Sequence, residues 1–170
     1  LREYDPKWKD IFLSTAEKIR PLFGDNLIQI EHIGSTSIEG MIAKPQIDIL
    51  VIVKNLDLIP SCYDSFRSAG FTPHGKEYVG NGDEYVTQDA VDGKRLASIH
   101  ILQEGYHQIK EYLAFREYLK THKEDRDLYI GTKRSLYSKF KDDFHSYDSG
   151  KGPIISLLVD RAQQWYSSLQ

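Results

Sequence analysis

Asp48 stands inside the apolar run Ile47-Asp48-Ile49-Leu50-Val51-Ile52-Val53. A carboxylate in such a strand is desolvated, so it needs a cation, a metal ion or hydrogen-bond donors beside it. Gly34, Ser35 and Thr36 lie just upstream. Gly34 lets the backbone approach a ligand closely, and Ser35 and Thr36 add hydroxyl donors beside free backbone N–H groups, a composition suited to phosphate oxygens. His100 interrupts a second apolar strand, Ala97-Ser98-Ile99-His100-Ile101-Leu102. Imidazole is a good ligand for Zn²⁺ or another transition metal and a poor one for Mg²⁺. If Asp48 and His100 meet across neighbouring strands, with Glu31 or His32 nearby, the group could hold a transition metal. Plainer readings stand beside these: a strand-to-loop turn at Gly34, an Asp48 paired with Lys44 or a backbone donor, and hydrogen-bonded core histidines.

The elements that must position these residues follow from periodicity and punctuation. Leu27 to Ile33 and Gln46 to Val53 read as strands, with a polar crossing from Gly34 to Pro45 between them. Ahead of them, Asp5 as N-cap and Pro6 in the first helical position open a helix that runs to about Gly24, with Trp8, Ile11, Phe12, Ile19 and Phe23 on its apolar face. A second helix is expected from Asn55-Leu56-Asp57 to about Ala69, closed by Gly70, with Cys62 buried in it. Three strands follow, Phe71 to Tyr78, Glu84 to Ala90 and Lys94 to Leu102, joined by Asn81-Gly82 and Asp92-Gly93 turns. Helices are then expected over Glu104 to His122, Glu124 to Phe144 and Ile154 to Leu169. Hairpins flanked by helices, without repeated βαβ units, predict an α+β (mixed α/β) fold with helices packed on a mixed sheet and a helical C-terminal segment.

Two features carry a resemblance. Gly34-Ser35 followed by a strand carboxylate resembles the signature of the nucleotidyltransferase superfamily. The longer string His32-Ile33-Gly34-Ser35-Thr36-Ser37, then Gly40, Ala43-Lys44-Pro45 and Ile47-Asp48-Ile49-Leu50, is similar to the GrpB family, a small bacterial group with that fold. Ile99-His100-Ile101, the run Leu113 to Leu119 and the stretch Tyr147 to Lys151 agree with it, so the resemblance spans most of the chain. It implies a nucleotidyltransferase-like mixed sheet that binds a nucleotide or other phosphate-containing small molecule and transfers a nucleotidyl group with a divalent metal, Mg²⁺ or Mn²⁺. Asp48 would be the strand carboxylate that holds the metal, and His100 would take the place of the superfamily's third acidic group. Lys44, Arg116, Lys133 and Lys151 fall in the resembling stretches and would supply positive charge to the phosphates. The Asp-x-Asp pair is broken, because position 46 is Gln and position 50 is Leu. This departure opens a second reading, a catalytically silent binding or accessory module with a CoA-linked or scaffolding role.

Composition bounds the rest. The chain has 170 residues, 40% of them hydrophobic, enough for one domain over residues 1–170 with a single core. A net charge of -3 predicts no general attraction to nucleic acid or to an acidic membrane. The lone cysteine, Cys62, excludes an internal disulfide framework and suits a reducing compartment. No apolar run approaches the roughly 20 residues that span a bilayer, and Leu1 to Pro6 has no signal-peptide core, so a cytoplasmic protein is expected. P-loop, Gly-x-Gly-x-x-Gly, His-Glu-x-x-His, Cys-x-x-Cys and Gly-x-Ser-x-Gly patterns are missing.

Overall fold

A computed structural model describes residues 1–169. Asp5 opens the first helix, α1 (Lys7–Phe23): its Oδ1 accepts a hydrogen bond from the Lys7 N–H at 3.0 Å, satisfying a donor that the helix cannot. Trp8, Ala16, Ile19 and Phe23 are buried along one face of α1.

Five strands, β1 (Leu27–Ile33), β2 (Ile47–Val53), β3 (Thr72–Gly75), β4 (Glu84–Asp89) and β5 (Arg95–Gln103), form one sheet in the order β1-β2-β5-β4-β3. Only the central β2–β5 pair is parallel, so the sheet is mixed, as the hairpin-rich pattern predicts. Side chains alternate between its faces. Ile47, Ile49, Val51 and Val53, with Ala97, Ile99 and Ile101 from β5, pack with Trp8, Ile19 and Phe23 of α1 and with Ile59 and Phe66. On the opposite face Leu50, Ile52, Leu102 and Ile33 meet Ile109, Tyr112 and Leu113 of α3 (His107–Thr121). Because both faces are covered, β2 is apolar at every position except Asp48. Asp48 lies on the α3 face, one pleat from Leu50.

The segment after β2 departs from the expected single helix. It forms a 3-10 stretch, Leu56–Cys62, followed by the short α2 (Tyr63–Ser68), because Pro60 cannot donate a helical hydrogen bond. Cys62 ends the 3-10 stretch and is only partly buried, not in a helix core. The expected strand to Tyr78 stops at Gly75, whose φ of 85° turns the chain away.

Three further helices complete the chain: α4 (Lys123–Lys139), α5 (Phe144–Gly150) and α6 (Gly152–Ser168). The helix expected to reach Phe144 ends at Lys139. Asp143 then starts α5, its Oδ1 accepting from the Ser146 N–H at 3.1 Å. Met41 and Ile38 of the β1–β2 crossing, Ala114, Tyr118 and Leu119 of α3, Tyr129 of α4 and Leu158 and Ala162 of α6 make a separate core, which fixes the helices against the crossing. No helix among the described residues is long and apolar enough to cross a membrane.

Arg116 ties α3 to the β1 edge. Its Nη1 donates to Glu31 Oε2 at 2.7 Å and to the His32 carbonyl at 3.0 Å, with its side chain only 14% exposed. Removing one member of a largely buried ion pair leaves the other desolvated and unpaired. Arg116→Ala is therefore expected to cost about 2 kcal/mol in urea denaturation, and the double variant Arg116→Ala/Glu31→Ala to lose less than the sum of the single losses.

Candidate functional site

The β1–β2 ladder places Ile33 opposite Asp48, so Gly34 turns directly over the Asp48 side chain. Gly34 has φ 73° and ψ -174°, a region essentially reserved for glycine. A Cβ at this position would lie 2.5 Å from Asp48 Oδ2 and 3.1 Å from Asp48 Cβ. The two residues thus depend on each other. The turn continues as a 3-10 stretch, Ser35–Ser37, in which Ser37 Oγ donates to the Gly34 carbonyl at 2.5 Å.

The Asp48 carboxyl is pushed up to about 6, chiefly by burial, while the nearby charges of Lys133 and Lys151 pull it down. None of these cations is within ion-pairing distance: among the described residues the Asp48 carboxylate forms neither an ion pair nor a side-chain hydrogen bond, and Lys44 does not neutralise it. Instead Lys44 Nζ stands 3.0 Å from the Phe144 ring centroid and 5.3 Å from that of Tyr147. Burial and then the Lys151 charge hold Lys44 below the ordinary lysine range.

Lys133, on α4, is 3% exposed and reaches back across the molecule. Its Nζ donates to Ser35 Oγ at 2.6 Å and to the Ile42 carbonyl at 3.0 Å, and lies 4.4 Å from the Tyr129 ring centroid. Burial first and Lys151 second pull Lys133 down to about 7, against the opposing pull of Asp48. Lys151, between α5 and α6, pairs with Asp148 at 3.2 Å. These groups enclose a cleft of about 170 Å³. Ser35 and Thr36 form one wall, Gln46 and Asp48 the floor, and Lys44, Lys133, Tyr147, Asp148 and Lys151 the opposite side.

Seven of the expected site residues are therefore brought together: Gly34, Ser35, Thr36, Lys44, Asp48, Lys133 and Lys151. The expected gathering of Asp48, His100, Glu31 and His32 round one ion does not occur. His32 pairs with Ile49 and so faces the other side of the sheet, where its ring stacks on Phe12 at 4.8 Å and shares a 2.9 Å hydrogen bond with Thr36 Oγ1. Burial pulls His32 down to about 4. Glu31 is held by Arg116, and both line a larger cavity of about 550 Å³ at the β1 edge that meets the lysine cleft only at Thr36, so Arg116 does not join the other expected cations. Among the described residues no group of three or more His, Cys, Asp or Glu side chains is gathered closely enough for a metal ion. His100 does share the Asp48 face: Asp48 opposes Ser98 and Leu50 opposes His100, which makes Asp48 and His100 diagonal neighbours.

Sequence reasoning missed Asp83, whose Oδ2 lies 2.6 Å from His100 Nδ1. Counting strand register back from the Asp92-Gly93 turn places Tyr85 opposite His100, allowing for one bulge, and Asp83 one pleat beyond on the same face. It also missed Tyr147 and Asp148, which lie beyond the helix expected to end at Phe144.

The raised Asp48 value fixes a sign. Between about 4 and 6 the folded protein holds the Asp48 proton more tightly than the unfolded chain does, so this group lowers stability as pH rises through that window and its full cost remains above it. Asp48→Asn should stabilise the free protein at pH 7.5 by about 3 kcal/mol in urea denaturation, and the gain should vanish near pH 4. Gly34→Ala should cost roughly 2–3 kcal/mol, from backbone conformation and contact with Asp48 together.

Comparison with known proteins places this geometry. The GrpB protein family matches residues 1–161. The UPF0157 protein YqkA of Bacillus subtilis is 32% identical over 162 residues, which cover 95% of this chain and 46% of that protein, so the chain spans about half the length of that relative. The crystal structure of conserved protein GrpB from Enterococcus faecalis is similar at a TM-score of 0.90 and 30% identity, covering 97% of this chain and 98% of that chain. Cid1 poly(U) polymerase, in a structure bound to MgATP, is similar at a TM-score of 0.57 and 13% identity over 87% of this chain and 50% of that chain, a likeness of fold alone. With its family matched over nearly its whole length and its fold similar to that of a poly(U) polymerase, the chain belongs to the GrpB family and has a nucleotidyltransferase-like fold.

Proposed function

We propose that the lysine cleft binds the phosphate tail of a nucleotide or related phosphate compound, with a divalent metal at Asp48, and that the protein transfers a nucleotidyl group. One observation carries this reading: a desolvated carboxylate faces three lysines that crowd its cleft without neutralising it. An isolated charge of this kind costs stability and needs a functional reason. The cleft, at about 170 Å³, is smaller than the roughly 300–1,000 Å³ of a typical ligand site, so it suits phosphate groups and leaves a nucleoside outside it.

A single free carboxylate fits Mg²⁺ or Mn²⁺, which bind proteins through one or two carboxylates and complete their shell with substrate phosphates and water. Asp48 and His100 gather no third His, Cys, Asp or Glu among the described residues, so a dedicated transition-metal site does not fit. Bound there, such an ion would neutralise phosphate charge. The chain supplies the rest. Ser35 and the backbone N–H groups after Gly34 donate to phosphate oxygens, Thr36 through its N–H because its hydroxyl is shared with His32. Lys133 fixes Ser35 in place through their 2.6 Å contact. Lys44 exchanges its aromatic contacts, and Lys151 its Asp148 partner, for the anion. His100, on the Asp48 face, accepts the proton of the incoming group.

Thermal denaturation with MnCl₂ and each common nucleoside triphosphate tests the reading. At 100 times its dissociation constant a ligand stabilises by about 2.7 kcal/mol, which raises Tm by about 5–10 °C for a chain of this size. Asp48→Asn should lose the metal-dependent part of that shift, and Lys44→Ala or Lys151→Ala should weaken it. Unchanged Tm with every triphosphate would reject phosphate binding and favour a silent accessory module.

A further inference from the structure

Asp83 is a fully buried carboxylate outside the phosphate cleft, and one of its oxygens is unused. Its Oδ2 lies 2.6 Å from His100 Nδ1, while Oδ1 has no hydrogen-bond partner among the described residues. A buried acid with half its acceptors empty is costly, and such groups concentrate where chemistry needs them. The turn around Asp83 is held from two sides: the Asp83 N–H donates to Asn81 Oδ1 at 3.2 Å, and Tyr106 Oη donates to the Asn81 carbonyl at 2.9 Å. The His100 ring lies between those of Tyr85 and Tyr112, with centroids 5.2 and 5.6 Å away.

We infer that Asp83 is a positioning residue that sets His100 to take a proton from the hydroxyl of an acceptor substrate, an inference that rests on the nucleotidyl-transfer reading. When a neutral His100 meets the carboxylate form of Asp83, which only accepts hydrogen bonds, the proton in the 2.6 Å contact sits on Nδ1. This leaves Nε2 as a bare acceptor, and Nε2 has no hydrogen-bond partner among the described residues. The His100 side chain keeps 15% exposure on the face that carries Asp48. Tyr112 stays a neutral phenol, its hydroxyl pushed up to about 12 by burial and then by Asp83. In the transfer, the acceptor O–H gives its proton to Nε2 and its oxygen bonds to the α-phosphorus of the triphosphate. The bond from that phosphorus to the bridging oxygen breaks, and its electron pair leaves with pyrophosphate. The imidazolium so formed is stabilised by Asp83. An acceptor that is already ionised, such as a carboxylate or phosphate, needs no such base, so the geometry favours an alcohol.

Two readouts on the intact protein test this. Histidine ¹⁵N correlation spectra should show His100 protonated on Nδ1 and bare at Nε2, and in Asp83→Asn the amide should donate to Nδ1 and move the proton to Nε2. An Nε2-protonated His100 in the parent, or no change in the variant, would overturn the inference. Pyrophosphate release from MgATP with water as acceptor should fall about 10²–10⁴-fold in kcat in Asp83→Asn with KM unchanged. In His100→Ala, added imidazole should restore it. A change in KM alone, or no rescue by imidazole, would also overturn it. A parent protein that binds no MgATP would sink the transfer reading instead, and the tautomer spectra would still decide whether Asp83 sets His100.

Discussion

The structure depends on a close approach between Gly34 and Asp48. The ladder that puts Ile33 across from Asp48 leaves the chain nowhere to turn except over that carboxyl, and only glycine has both the backbone conformation and the missing Cβ to do so. The turn strips water from one side of the acid and orients Ser35 and Thr36 along the same cleft. Desolvation and donor placement therefore have one cause. A side chain at position 34 would undo both.

Two of the three opposing lysines, Lys133 and Lys151, come from the helical half, far along the chain. Lys133 reaches Ser35 from α4, 98 residues further along the chain, while Lys44 and Lys151 meet the aromatic rings of α5. Cation–π contacts hold Lys44 more loosely than a carboxylate would, and Lys151 pairs only with the exposed Asp148, so both stay near the acid yet can turn to an anion. Charges left unsatisfied in this way reduce the stability of the free protein, a common trade at sites that gain their partner only on binding.

Much of this was legible in the sequence because the signals were local. Asp5 and Pro6 mark α1, strand periodicity marks β1 and β2, and Asp92-Gly93 marks the hairpin between β4 and β5. A carboxylate alone in an apolar strand pointed to Asp48 directly. Other features depend on what lies across the fold. Glu31 and His32 are adjacent on β1 and so face opposite sides, which period-two alternation could have told; that Glu31 belongs to Arg116 could not be read, since α3 is 85 residues away. The break between α4 and α5 was hidden because Phe144 continues the helical spacing of α4, and only the cap at Asp143 marks the restart. Asp83 lies in an Asn-Gly-Asp turn, where an aspartate is ordinarily taken for turn chemistry.

What unites these parts is a carboxylate that the fold desolvates and does not pair. Its titration reads that condition directly. A ¹³C-detected pH titration of the Asp48 side chain should give a midpoint near 6 in the free protein, falling when Mg²⁺ and tripolyphosphate are added together. A midpoint at or below the ordinary value of about 4 in the free protein would mean that the surrounding lysines already neutralise the acid, and the account would fail.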